Sequence, residues 1–182
     1  MLKYFFISFF VFLLTSANAT SNKKIIKRLE DTNNLNFKFK QNINGKIEKG
    51  NCTIEYPKKI FCKYSGNERK ILVSNARSLV IKTNSSYYRY PLAKTPLNFI
   101  LDKNFLINKI SNLKERIIEK AYINYTIIEN NNEVNIFFDN KTFDLIGWQM
   151  EDIYQNLNIT FFSSIKRNQN IMKDLFKLPP QN

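Results

Sequence analysis

The residues that could act chemically are few, and their types exclude most reactions. The chain has no histidine, so acid–base or nucleophilic work of the common kinds falls to carboxylates, lysines or tyrosines. Asp144, Glu151 and Asp152 lie near Trp148, but acidic residues at strand ends are in the main solvated. No phosphate loop, glycine-rich dinucleotide turn or Gly-x-Ser-x-Gly elbow occurs. Two cysteines without histidine do not make a metal site. The expectation is therefore no catalytic residue, no cofactor and no metal: a protein that is not an enzyme. What the cysteines can do is bridge. Cys52 and Cys62 flank Tyr56-Pro57-Lys58-Lys59, a turn between two short β-rich runs, so a hairpin about Pro57 brings them to nearly opposed positions on one face. A cross-strand disulfide is favoured; a register one residue off would leave two buried thiols instead.

The elements that hold these residues follow from periodicity. From 21 to 33, Ile25, Ile26 and Leu29 recur at helical spacing among Lys, Arg and Glu, with Ser21 available as N-cap. The period then becomes two, with Phe37 and Phe39 alternating with Lys38 and Lys40, and Asn44-Gly45 supplying a two-residue hairpin turn. Strands are expected over 35–43, 46–56, 60–66, 69–75, 78–83 and 86–91, an antiparallel meander with Ile54 or Phe61, Val73, Ile81 and Tyr88 on its buried face. A short helix starts after Thr95, with Pro96 at its first position, and Leu97, Ile100 and Leu101 share one of its faces. Strands resume over 114–121, 122–129, 132–138, 143–150 and 156–163. The fold class is thus α+β: one long antiparallel sheet, which tends to curl, covered by a few short helices. Periodicity does not separate a packed core from a cavity inside such a sheet.

The ends and the charge set the compartment. Lys3 precedes an apolar run from Tyr4 to Leu14, too short to cross a hydrocarbon core that needs roughly 20 residues, and Ala17-Asn18-Ala19 has the small-x-small form of a cleavage site. Residues 1–19 read as a cleavable signal peptide and 20–182 as one exported domain. Thr20 stands where a lipoprotein would carry cysteine, so an unlipidated periplasmic protein is expected. The net charge of +13 is scattered along the chain, and export argues against a nucleic-acid partner; solubility, anionic membrane surfaces or an acidic protein partner account for it.

A series of landmarks runs in order along the mature chain: Leu35 to Gln41, Gly50 to Pro57, the hairpin Ile71 to Leu79, Tyr90 to Leu97, the Trp-x-x-x-Asp strand at Leu145 to Asp152, and the ending Asn170 to Pro180. Through them nearly the whole mature chain resembles the outer-membrane lipoprotein carrier family, LolA. The resemblance implies an incomplete barrel with a helical lid, a lipoprotein-carrier domain over 20–182 that shields acyl chains of triacylated lipoproteins. Its partners would be an inner-membrane ATP-driven transporter that loads it and an outer-membrane acceptor, and it would act as a monomer. It places Ile25, Leu29, Phe39, Ile54, Phe61, Val73, Leu79, Ile81, Leu97, Ile100, Leu101 and Trp148 around the cavity. The family's arginine before the strand-ending proline, which bonds to the lid, is here Tyr56. A phenol offers one donor where a guanidinium offers five, so the latch falls to Tyr56 more weakly, or to Lys58 or Lys59. Asn75-Ala76 in place of Asp-Gly, and the two cysteines, mark a divergent branch. The same fold could carry another lipid or glycolipid, and a plain interaction domain with a packed core is the third reading.

Overall fold

The computed structural model describes residues 21–152 and 154–181, so the signal segment 1–19 and its cleavage point lie outside the described residues. Helix α1 (Ser21–Glu30) buries Ile25 and Leu29. It ends three residues short of the periodic signal, where the Thr32 hydroxyl donates back to Arg28 O at 2.6 Å and Asn34 enters strand pairing. A meander follows: β1 (Asn34–Ile43), β2 (Lys46–Glu55), β3 (Lys59–Tyr64), β4 (Ile71–Asn75), β5 (Ser78–Lys82) and β6 (Tyr87–Pro91). A 3₁₀ turn at Leu92–Lys94 leads to α2 (Leu97–Ile100) and α3 (Lys103–Asn112). The apolar pattern does not separate these two helices. Asp102 does, by leaving helical geometry and accepting a hydrogen bond from Phe105 N at 3.1 Å as N-cap of α3. The chain closes with β7 (Arg116–Ile118), β8 (Tyr122–Glu129), β9 (Asn132–Asp139), β10 (Leu145–Glu151) and β11 (Leu157–Arg167).

All eleven strands form one antiparallel sheet in the order β6-β5-β4-β3-β2-β1-β11-β10-β9-β8-β7. Pairing of β1 with β11 joins the two halves of the chain at the middle and leaves β6 and β7 as unpaired edges, so the barrel is incomplete. The curl is steep. Tyr90 on β6 and Tyr154, just beyond β10, stand seven strand spacings apart, roughly 33 Å on a flat sheet, yet their hydroxyls meet at 2.8 Å. The edges are protected by shortness at β7 and by Arg89 and Pro91 on β6.

The helices fill the concave side. Ile25, Ile100, Leu101, Leu106 and Ile110 are completely buried against Ile54, Ile60, Ile123, Tyr125, Ile136 and Phe138 of the sheet. Cys52 and Cys62 are directly opposed on β2 and β3, with Cα atoms 4.1 Å apart, and form a disulfide. The convex side is also covered at one end. The C-terminal segment crosses it, Pro180 O accepting from Lys82 Nζ at 2.7 Å and Pro179 O from the Tyr87 hydroxyl at 3.4 Å. Val73 and Val80 are buried on this side, cross-strand partners outside the interior cluster.

Candidate lipid-binding cavity

The helices do not fill the whole concave side. Where β1–β2 and β4–β6 extend past them, a cleft of about 610 Å³ remains, which also takes in the start of α2 and the β10–β11 connection. That is the size of a site for one small amphiphile. One wall is apolar: Ile43, Leu72, Leu79, Ile81, Leu97 and Met150. The alternation of strands brings these together, since Leu72 faces Ile81 across β4–β5 and Ile81 faces Tyr88 across β5–β6. Tyr88 belongs to the concave face as the pattern implies but stays 47% exposed, because no helix reaches it.

The opposite wall is polar. Glu48 is held by Lys70 at 2.7 Å and by Lys46 at 3.6 Å. The Lys70 ammonium also lies 4.2 Å from the centre of the Tyr64 ring. Tyr64 donates to Gln41 Oε1 at 3.3 Å, and burial, with the Glu48 charge nearby, raises its phenol pKa. Tyr90 and Tyr154 meet across the cleft. Burial first, then this hydrogen bond, pushes the Tyr90 phenol up to about 12. Tyr64 and Tyr90 therefore stay neutral near neutral pH and offer hydrogen bonds, not charge, to a ligand.

The twelve residues expected around the cavity divide into three groups. Leu79, Ile81 and Leu97 line the cleft. Ile25, Leu29, Phe39, Ile54, Ile100, Leu101 and Trp148 belong to the closed interior beneath the helices. Phe61 and Val73 are corrected by one residue. They are cross-strand partners beside Cys62 and Leu72, and the latter pair faces inward, so Phe61 and Val73 belong to the convex side. Leu72, Tyr64, Tyr90, Met150 and Ile43 line the cleft without having been singled out. The disulfide carries part of the missing signal: a bridge between Cys52 and Cys62 puts both on one face, and parity along β2 and β3 then assigns Ile54 and Ile60 to it and Phe61 to the other.

The latch also needs correction. The Tyr56 hydroxyl is buried and makes no hydrogen bond among the described residues, and burial raises its pKa. The lid is tied instead by Lys58, whose amide donates to Leu101 O at 2.8 Å and whose ammonium meets Asp102 Oδ2 at 3.2 Å. Lys59 pairs with Glu55 at 2.7 Å and takes no part. Of the carboxylates near Trp148, Asp144 binds Arg28 at 3.0 Å and Arg167 at 3.3 Å, Asp152 accepts from Tyr154 N and Asn156 N in the β10–β11 turn, and Glu151 lines the cleft.

An unclosed antiparallel sheet, curled around short helices and keeping a half-apolar cleft beside a helical lid, defines a class of open-barrel domains. Within that class, the model of the family described as outer membrane lipoprotein carrier protein LolA matches residues 30–179. The chain belongs to this family. No curated protein matches it. Among solved structures it is similar to a conserved protein from Thermus thermophilus (TM-score 0.52, 8% identity, covering 89% of this chain and 96% of that one). It is similar also to MucB (0.50, 11%, 90% and 65%). A third is a putative outer membrane lipoprotein-sorting protein domain from Vibrio parahaemolyticus (0.48, 7%, 86% and 94%). At these identities the likeness is one of fold.

Proposed function

We propose that the protein is a periplasmic carrier that shields the acyl chains of triacylated lipoproteins and moves them from the inner to the outer membrane, without catalysing a reaction. The observation that carries this reading is the cleft, open beside a helical lid whose α2–α3 junction is tied to the sheet through Lys58, in a chain of the lipoprotein carrier family. A triacylated protein anchors almost irreversibly because each buried methylene is worth about 0.8 kcal/mol, so it crosses water only when its chains are covered. The cleft as it stands has room for one such chain at most, and α2 must lift to admit the others. Loading then draws on an ATP-driven transporter of the inner membrane, and unloading on an outer-membrane acceptor, with the carrier acting as a monomer.

The test is to incubate the mature protein with inner-membrane vesicles, a triacylated lipoprotein and ATP. Release of the lipoprotein in a soluble one-to-one complex supports the reading, and its failure to leave the membrane refutes it. A second reading, a carrier or sensor of another amphiphile, is favoured by the polar wall: Glu48, Lys70 and Gln41 face space that acyl chains alone would not use. Bound lipid found by mass spectrometry, with no lipoprotein released, would select it.

A further inference from the structure

We propose that the convex face of β1, β2, β3 and β11 is a docking surface for anionic lipid membranes. Register sets the residues. In one row across the sheet Lys49 stands directly opposite Lys40, which in turn faces Phe161. In the next row Lys63 faces Asn51, which faces Lys38. The four lysines thus occupy roughly two strand spacings by two residues, about 10 by 7 Å. All four are exposed, and none has an acidic side chain within ion-pairing distance among the described residues. A like-charged pair directly opposed across antiparallel strands destabilises a sheet, so Lys40 and Lys49 are a local cost with no compensation inside the fold.

Apolar groups are interleaved with these charges. Phe161 is 39% exposed, and Ile47, on the same face as Lys49, is 47% exposed. Phe161 is held in place by stacking on Phe137, ring centres 5.2 Å apart. The two rings meet over Gly147, which pairs with both and whose added Cβ would lie 3.2 Å from the Phe161 ring. Lysines around exposed aromatic and aliphatic side chains match a membrane interface, where anionic headgroups take the ammonium groups and ring edges enter the headgroup layer. An acidic protein would satisfy the charge as well, and binding to protein-free vesicles distinguishes the two. The same β1–β2 hairpin presents Gln41, Ile43 and Glu48 to the cleft from its other side, so docking by this face would set the cleft beside the bilayer.

The proposal does not depend on the cargo. It is tested with the mature protein and vesicles of phosphatidylcholine with or without phosphatidylglycerol, by co-sedimentation. Binding should need phosphatidylglycerol and fall as salt is raised. The double variant Lys40→Glu/Lys49→Glu should weaken it at least tenfold, roughly the loss of two lysine–surface attractions. This variant keeps a like-charged pair at the same positions, so its melting temperature should match the parent; if it does not, Lys40→Gln/Lys49→Gln is read in its place. Lys23→Glu/Lys114→Glu, with the same change in net charge away from this face, should stay within about threefold of the parent. Equal loss in the two double variants, equal binding to neutral vesicles, or no binding at low salt would each overturn the proposal.

Discussion

The latch between Lys58 and Asp102 tests whether the lid gates the cleft. Their side chains are 34% and 28% exposed, so solvent screens the pair, and about 0.5–1 kcal/mol is the appropriate value. Lys58→Met removes the ion pair but keeps the bond from its amide to Leu101 O. Asp102→Asn removes the pair but keeps an N-cap for α3, whereas Asp102→Ala loses both and should cost about 1 kcal/mol more. A double-mutant cycle between Lys58→Met and Asp102→Asn should return about 0.5–1 kcal/mol of coupling. If α2 must lift for cargo to enter, weakening the closed form by about 1 kcal/mol raises the open fraction about fivefold. The apparent affinity for a triacylated lipopeptide, whose second and third chains need the lid lifted, should then rise by up to that factor, while the melting temperature falls by about 2–4 °C. Destabilisation with unchanged or weaker lipopeptide binding would refute the gating argument and leave the pair as plain surface structure.

Tyr56→Phe should be neutral to slightly stabilising, by up to about 1 kcal/mol, because it removes a buried hydroxyl with no partner; a clear loss in chemical denaturation would reveal a bond the structure lacks. Ile81→Trp should fill the cleft and cut fatty-acid uptake about tenfold with little change in melting temperature, since Ile81 lines open space and not the interior. Burial raises the phenols of Tyr56, Tyr64, Tyr90 and Tyr125 above their ordinary value of 10.0, Tyr90 to about 12. A raised folded-state pKa contributes stability below the unfolded value that disappears as pH climbs through the folded one. The melting temperature should therefore hold steady up to about pH 10 and fall from there towards 12, and phenolate absorbance followed in the same titration should lag behind that of the free amino acid.

Most strands were legible because one face of each alternates cleanly. Phe37, Lys38, Phe39 and Lys40 announce β1, and Asn44-Gly45 announces the turn after it. Legibility failed where both faces bury apolar groups. On β3 and β4 the pairs Phe61–Cys62 and Leu72–Val73 are apolar on each side, since the C-terminal segment lies against the convex face there while the concave face meets the interior at Cys62 and the cleft at Leu72. Alternation then carries no phase, and a one-residue error sends Phe61 and Val73 to the wrong side. The expected strand 114–121 shrinks to Arg116–Ile118, because Glu119 and Lys120 both take positive φ and turn the chain. The latch was unreadable for another reason. Losing the family arginine at Tyr56 does not say which neighbour reaches the lid, and Lys58 does so partly through its amide, which no side-chain pattern reports.

In the proposed carrier the lid and the cargo would compete for the same apolar surface, and that competition would set how tightly cargo is held. In the closed form Leu97, Phe99, Ile100 and Leu101 are buried against the sheet. Lifting them exposes four large side chains at about 1.5–3 kcal/mol each, roughly 6–12 kcal/mol in all. Acyl chains entering the vacated space gain about 0.8 kcal/mol per methylene, so the first 8–15 methylenes merely offset the lid. Only the chain length beyond that adds net affinity. A carrier built this way binds a multiply acylated cargo with a small surplus although the gross burial is large, and an acceptor that offers the chains a modestly better environment can take them. The weak tie at Lys58 suits this balance: a stronger latch would add to the energy the loading step must supply without changing what the cargo gains once inside.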